Sequence, residues 1–199
     1  DVDDVWEIPM KGGRDVASTW IKFEKEAVSR KLRGDFDEIF LTQIHPNNYQ
    51  NFDGTVRYSI FRGYPKPITV PISPVICLTD VEVENVHTFA QDYGFINKKN
   101  VILFECASRS GQSFVTAEFA METSKLLIER NPGAYIILSS NIPFKTSDTH
   151  IIDGSVLTVR ENAELTKYCS LLVGCSSGIS WLCTSDWAKP LPMVQLLSK

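Results

Sequence analysis

Short apolar runs recur between longer amphipathic stretches along this chain, most regularly in its second half. Val101-Ile-Leu-Phe104, Ala134-Tyr-Ile-Ile-Leu-Ser139 and Ser170-Leu-Leu-Val-Gly174 are too short for helices and too uniformly apolar for a sheet with one wet face. Such runs mark strands buried on both sides. They predict strands over 100–104, 134–139 and 170–174, with helices over 114–130 and from about residue 179, and a further strand is open at 155–157. Asn131-Pro-Gly133 stops the first of these helices. Alternation of this kind is the signature of βαβ units, hence an α/β fold with a parallel sheet flanked by helices.

The first half is less regular. Val5–Ile8 reads as a short strand, and a helix follows over 17–32, with Trp20, Phe23 and Ala27 on one face and Gly34 at its end. Phe36-Asp-Glu-Ile-Phe-Leu-Thr-Gln43 reads as a buried strand emptying into the turn cluster Ile44-His45-Pro46-Asn47-Asn48. Four prolines between Tyr64 and Pro74 exclude a central strand or helix and predict an extended connection. Thr79-Asp-Val-Glu82 is a capping box; its helix should run to Tyr93, where Gly94 supplies a left-handed stop. The polar stretch Asn97-Lys-Lys-Asn100 then reads as a hinge, dividing the chain into Rossmann-type halves at 1–96 and 97–199. No repeat or low-complexity segment interrupts either half.

Composition narrows the choice of partners. With 199 residues, 43% hydrophobic and 22% charged, the chain is ordinary globular material. A net charge of −4, a pI near 5.4 and the lack of any basic run argue against nucleic-acid binding. The five cysteines contain no C-x-x-C pair and mostly lie in apolar surroundings, so they read as reduced residues of a cytoplasmic protein. No transmembrane run and no basic, hydrophobic leader is visible, which still leaves room for peripheral membrane association.

Two small-residue loops carry candidate chemistry. Glu105-Cys-Ala-Ser108-Arg109-Ser110-Gly111-Gln112-Ser113 follows a strand and opens a helix, so its amides, hydroxyls and Arg109 suit a diphosphate. It is neither a Walker loop nor a G-x-G-x-x-G turn. A serine-capped helix with a solvated Arg explains the same residues about as well. Ser176-Ser177-Gly178 also follows a strand, and two such loops on one sheet edge favour a ligand cleft, because open α/β sheets bind ligands beyond the carboxyl ends of their strands. Thr158-Val-Arg-Glu161 is a second capping box. Glu161 is explained by that role, whereas Glu164 is not and either reaches ribose or sugar hydroxyls or lies on a solvated helix face. His45, in a loop of the first half, is the candidate catalytic base, although a loop histidine without a role is the commoner case. No ligand spacing for a metal is present, and no G-x-S-x-G elbow supports a serine nucleophile.

At these residues the chain resembles the GT-B glycosyltransferases, most closely the ADP-heptose:lipopolysaccharide heptosyltransferase type. The resemblance is carried by the strand and serine-bearing loop Val101-Ile-Leu-Phe-Glu-Cys-Ala-Ser-Arg-Ser110, by Thr158-Val-Arg-Glu161-Asn-Ala-Glu-Leu165, and by Val173-Gly-Cys-Ser-Ser-Gly-Ile-Ser-Trp-Leu182. Asp1-Val-Asp-Asp-Val-Trp-Glu-Ile-Pro9 and Gly34-Asp-Phe-Asp-Glu-Ile-Phe-Leu41 are similar to strands of that family's amino-terminal half. Cys175-Ser176 stands where the family usually has an Asp before Ser-Gly, and Ser180-Trp181 replaces a His-bearing helix start.

The resemblance implies a glycosyltransferase of surface polysaccharide or glycan synthesis, moving a sugar from a nucleotide-sugar donor to a saccharide or glycolipid acceptor. It implies no cofactor and no metal. Ser108, Arg109, Ser110, Gly111 and Gln112 would hold the diphosphate; Ser176, Ser177 and Gly178 would hold phosphate or sugar hydroxyls; Glu161 or Glu164 would orient ribose or base. The family's amino-terminal glycine-rich loop with its catalytic Asp has no counterpart before Asp1, so the first half reads as incomplete. Alternatives are a sugar-nucleotide 2-epimerase, which would need cleft acids and histidines that cannot be placed here, and a non-catalytic carbohydrate- or nucleotide-binding module, which the missing Asp and His would suit.

Overall fold

The computed structural model describes residues 5, 7, 16–40, 64, 66–106 and 112–198. The chain forms two compact units, Asp1–Ile72 and Ser73–Lys199.

In the first unit, α1 spans Val16–Arg33 and ends in Arg30, Lys31 and Arg33, cations placed where the helix dipole favours them. Ala27 is buried, and Trp20 stacks on Phe23 with ring centroids 5.3 Å apart, as the shared face requires. Gly34 and Asp35 donate backbone bonds to Lys31 and Arg30, closing the helix where the sequence expects. The strand expected at 36–43 is not found over 36–40. That stretch is irregular, with Phe36 and Phe40 partly exposed. Phe40 meets Tyr64 edge-on, with ring centroids 4.9 Å apart. Residues 41–43, Trp6 and Ile8 of the strand expected at Val5–Ile8, and the His45 loop lie outside the described residues.

The second unit starts with an extended segment and then α2, Asp80–Asp92. The capping box forms as expected: the Glu82 amide donates to Thr79 Oγ1 at 3.3 Å, and the Thr79 amide donates to Glu82 Oε2 at 2.7 Å. Gly94, at φ +68°, provides the left-handed stop. There follow β1 (Val101–Glu105), α3 (Ala117–Arg130), β2 (Tyr135–Ser139), β3 (Ile151–Asp153), the short α4 (Glu161–Leu165) with a 3₁₀ turn over 166–168, β4 (Leu171–Gly174), α5 (Gly178–Leu182) and β5 (Met193–Gln195). The strand expected at 155–157 is absent. The strand of this region is β3, a few residues earlier.

All five strands are parallel, in the order β3-β2-β1-β4-β5. Both faces are covered, and the pleat sorts the side chains cleanly. Val101, Leu103, Ile137, Ile152 and Leu172 point to one side, with Val86, Phe89 and Ala90 of α2 and with Phe95 and Leu165. Phe104, Ile136, Leu138, Ile151 and Val173 point to the other, with Val115 and Ala120. The unit is thus a Rossmann-like α/β layer structure.

The location of α2 changes the expected division of the chain. The sequence suggests halves at 1–96 and 97–199, yet Val86, Phe89, Ala90 and Phe95 share one apolar cluster with Val101 and Leu103. The two units divide between Ile72 and Ser73. Asn97–Asn100 is an exposed connection over a single core, polar because it faces water.

Candidate functional site

From β1 the chain builds outward to β2 and β3, then crosses back to add β4 and β5 on the other flank. The strand order therefore reverses between β1 and β4, the topological position at which open α/β sheets bind ligands in a crevice beyond the carboxyl ends of their strands. Both serine-bearing loops singled out in the sequence leave from these two strands.

The end of the β1–β4 pairing is visible in the hydrogen bonds. Beyond the pair Phe104↔Val173, the Cys106 amide continues the ladder toward β2 by donating to Ser139 O at 2.9 Å. On the other flank the Cys175 amide donates instead to the side chain of Glu105, reaching Oε2 at 2.8 Å. Ser180 Oγ donates to the same oxygen in a very short bond. Glu105 is 1% exposed, and its second oxygen, Oε1, has no hydrogen-bond partner among the described residues. A carboxylate thus sits where the two strands part, held by one oxygen beneath the turn into α5.

Gly174 makes room for that arrangement. A Cβ there would lie 2.5 Å from Met193 Cε and 2.7 Å from Ser180 Oγ, so a side chain would push the serine off the carboxylate. Ser176 follows in the left-handed region at φ 57°, a conformation that non-glycine residues adopt at a cost. Its hydroxyl donates to Gln112 Oε1 at 2.7 Å, tying the loop after β4 to the loop after β1. The Ser198 amide donates to Gln112 O at 2.9 Å, and Ser113 Oγ donates to Leu196 O at 2.6 Å, so the segment after β5 closes the same corner.

The other expected site residues separate into groups. Ser177 caps α5, its hydroxyl accepting from the Ile179 amide at 3.1 Å. Gly178 begins that helix with an ordinary φ and only Val159 Cγ1, at 3.9 Å, near a Cβ, so no close approach requires glycine there. Glu161 is buried and satisfied at both oxygens, accepting from the Thr158 amide at 2.7 Å and from Asn85 Nδ2 at 3.0 Å. Its box with Thr158 forms, and α2 supplies the third partner. Glu164 is buried one turn on, its Oε2 accepting from Lys167 Nζ and Trp187 Nε1, each at 2.6 Å. It lies on neither a solvated face nor the crevice, so the fold already uses both glutamates. Ser108, Arg109, Ser110, Gly111 and His45 lie outside the described residues. The helix after their loop starts at Ala117, three residues later than expected, and Thr116 caps it.

Set against protein-family models, curated proteins and solved structures, the chain matches none. The chemistry of the crevice therefore has to be read from its own groups. Cys106 and Cys175 stand at the same edge, but burial, aided by Cys175 and Glu105, pushes the Cys106 thiol up to about 12, and burial raises Cys175 as well. Neither thiol is a ready nucleophile at neutral pH. His87 bonds Tyr168 and His150 stacks on Tyr135, both near the amino ends of strands and away from the crevice. Among the described residues no cluster could hold a metal and no helix is long and apolar enough to cross a membrane.

Sequence reading passed over Glu105. Its signal was an acid closing the apolar run Val-Ile-Leu-Phe, where a strand buried on both faces has no ordinary use for charge.

Proposed function

We propose that the Ser73–Lys199 unit binds a nucleotide sugar in the crevice between β1 and β4, and that the chain is a glycosyltransferase of the GT-B type, transferring the sugar to a saccharide acceptor. The observation that carries this reading is the bond from Ser176 to Gln112, which joins the two serine-bearing loops at the reversal of strand order. Hydroxyls and backbone amides gathered at such a reversal suit a polyhydroxylated, phosphorylated ligand. In this reading the loop over 108–113 receives the diphosphate, Arg109 meets its charge in place of a metal, and Ser176 and Ser177 line the sugar side. His45 remains the candidate base on sequence grounds, and it lies outside the described residues. Glu161 and Glu164 drop out of donor binding because the fold already employs them.

Calorimetry with nucleoside diphosphates and their sugar conjugates tests the binding, and release of nucleoside diphosphate in the presence of acceptor saccharides tests the transfer. Arg109→Ala should weaken diphosphate binding by about 1.5 to 3 kcal/mol, the scale of a hydrogen bond to a charged group. Unchanged affinity would remove the diphosphate from that loop. Binding without release would make the chain a nucleotide- or carbohydrate-binding module, and interconversion of epimeric nucleotide sugars would make it an epimerase.

A further inference from the structure

Glu105 has half a set of partners. Oε2 receives the Cys175 amide and the Ser180 hydroxyl, while Oε1 is shielded from solvent with no partner among the described residues. A buried, unpaired carboxylate oxygen costs free energy. The structural duty does not require it, because the carbonyl of a glutamine would accept from the same amide and hydroxyl. The fold therefore carries an acceptor that gives it nothing in return, as happens where a site is kept for something other than stability. The oxygen lies where β1 and β4 part, beneath the turn whose Ser176 is held at φ 57°.

We propose that Glu105 is a ligand-binding residue whose Oε1 accepts a hydrogen bond from a hydroxyl of the bound nucleotide sugar. This inference rests on the nucleotide-sugar reading of the crevice. A carboxylate only accepts, so it selects a hydroxyl donor and repels phosphate, which leaves the diphosphate to the loop over 108–113 and sets a hydroxyl of the ligand over Glu105. In the bound form the Ser176 hydroxyl exchanges Gln112 for the ligand, so that the Cys175–Ser177 turn moves off the oxygen while its serines stay along the sugar.

The decisive variant is Glu105→Gln in the full chain, with melting temperature and calorimetric affinity measured for UDP, GDP and ADP and for UDP-glucose, GDP-mannose and ADP-glucose. The melting temperature should hold or rise, while affinity for whichever ligand the wild type binds falls about tenfold to a hundredfold. Equal losses for a diphosphate and its sugar conjugate place the hydroxyl on ribose; a loss for the conjugate alone places it on the transferred sugar. Unchanged affinity overturns the inference while leaving the nucleotide-sugar reading intact. A wild type that binds none of the six removes that reading and the inference with it. If the variant loses both stability and affinity, Ser180→Ala decides, because it removes a contact to Oε2 and leaves Oε1 untouched. Retained affinity in Ser180→Ala upholds the inference, and an equal loss assigns the effect to the turn and overturns it.

Discussion

The carboxyl edge of the sheet has two flanks built from similar materials and finished differently. On the β2–β3 flank, Ser139 Oγ donates to Asn162 Oδ1 at 2.7 Å, Asn162 Nδ2 donates to Thr158 O at 2.8 Å, and Asp153 accepts from the Ser155 and Phe144 amides. Each of these side chains has its partner. On the β1–β4 flank the corresponding acid, Glu105, is bonded at one oxygen and bare at the other. A buried polar network is stabilising only when complete, which makes the first flank a seal and leaves the second open at one acceptor.

If the first flank is a seal, breaking it should cost the most. Asn162→Ala strands the buried Ser139 hydroxyl, removes the side-chain bond to Thr158 O and empties a buried position, and unfolding in urea should register a loss of about 2 to 4 kcal/mol. A loss below about 1 kcal/mol would show that water already serves these groups. The second flank can be probed through its glycines. Gly174→Ala should cost about 1 to 3 kcal/mol, because the new methyl meets Ser180 Oγ, pinned by Glu105, as well as the mobile end of Met193. Gly178→Ala, with only Val159 nearby, is the matched control and should be close to neutral. Equal melting temperatures for the two variants would mean that α5 is free to drift.

The smallest effect is the surface pair that joins α2 to the entry of α4. Arg160 Nε bonds Glu82 Oε1 at 2.6 Å, and with the Thr79 amide it lowers the Glu82 carboxyl from 4.5 to about 2. A folded-state value below the unfolded one stabilises above the unfolded value and ceases to do so as pH falls through the folded one. The contribution of this pair should therefore be present above pH 4.5 and disappear between pH 4.5 and about 2. Arg160→Ala should flatten the acid limb of the melting-temperature profile in that window, by an amount that shrinks in high salt. An unchanged limb would mean that Glu82 owes its acidity to its cap.

The capped and buried parts of this fold were legible in the sequence. The box at Thr79 with its stop at Gly94, the box at Thr158, and the apolar runs of β1, β2 and β4 all depend on contacts within a few residues or on burial so complete that composition reveals it. Phe36–Phe40 misled because an apolar run has the same spelling whether or not a sheet is there to receive it. Glu164 looked solvated since its partner Trp187 is 23 residues away. The loops after β1 and β4 leave adjacent strands of one sheet, as the sequence suggests, whereas the place of Glu105 depends on an amide 70 residues further along the chain.

The strand order also bears on how the chain is made. β1 is the centre of the sheet, but only its β2 neighbour follows soon; Ile102 pairs with Leu171 on the other side. During synthesis the β4 edge of β1 waits for the 65 residues between Glu105 and Leu171, roughly 3 to 13 seconds at about 5 to 20 residues per second. For that interval the nascent protein presents an unpaired apolar strand edge, an invitation to aggregation in which a chaperone at the ribosome has the time to intervene.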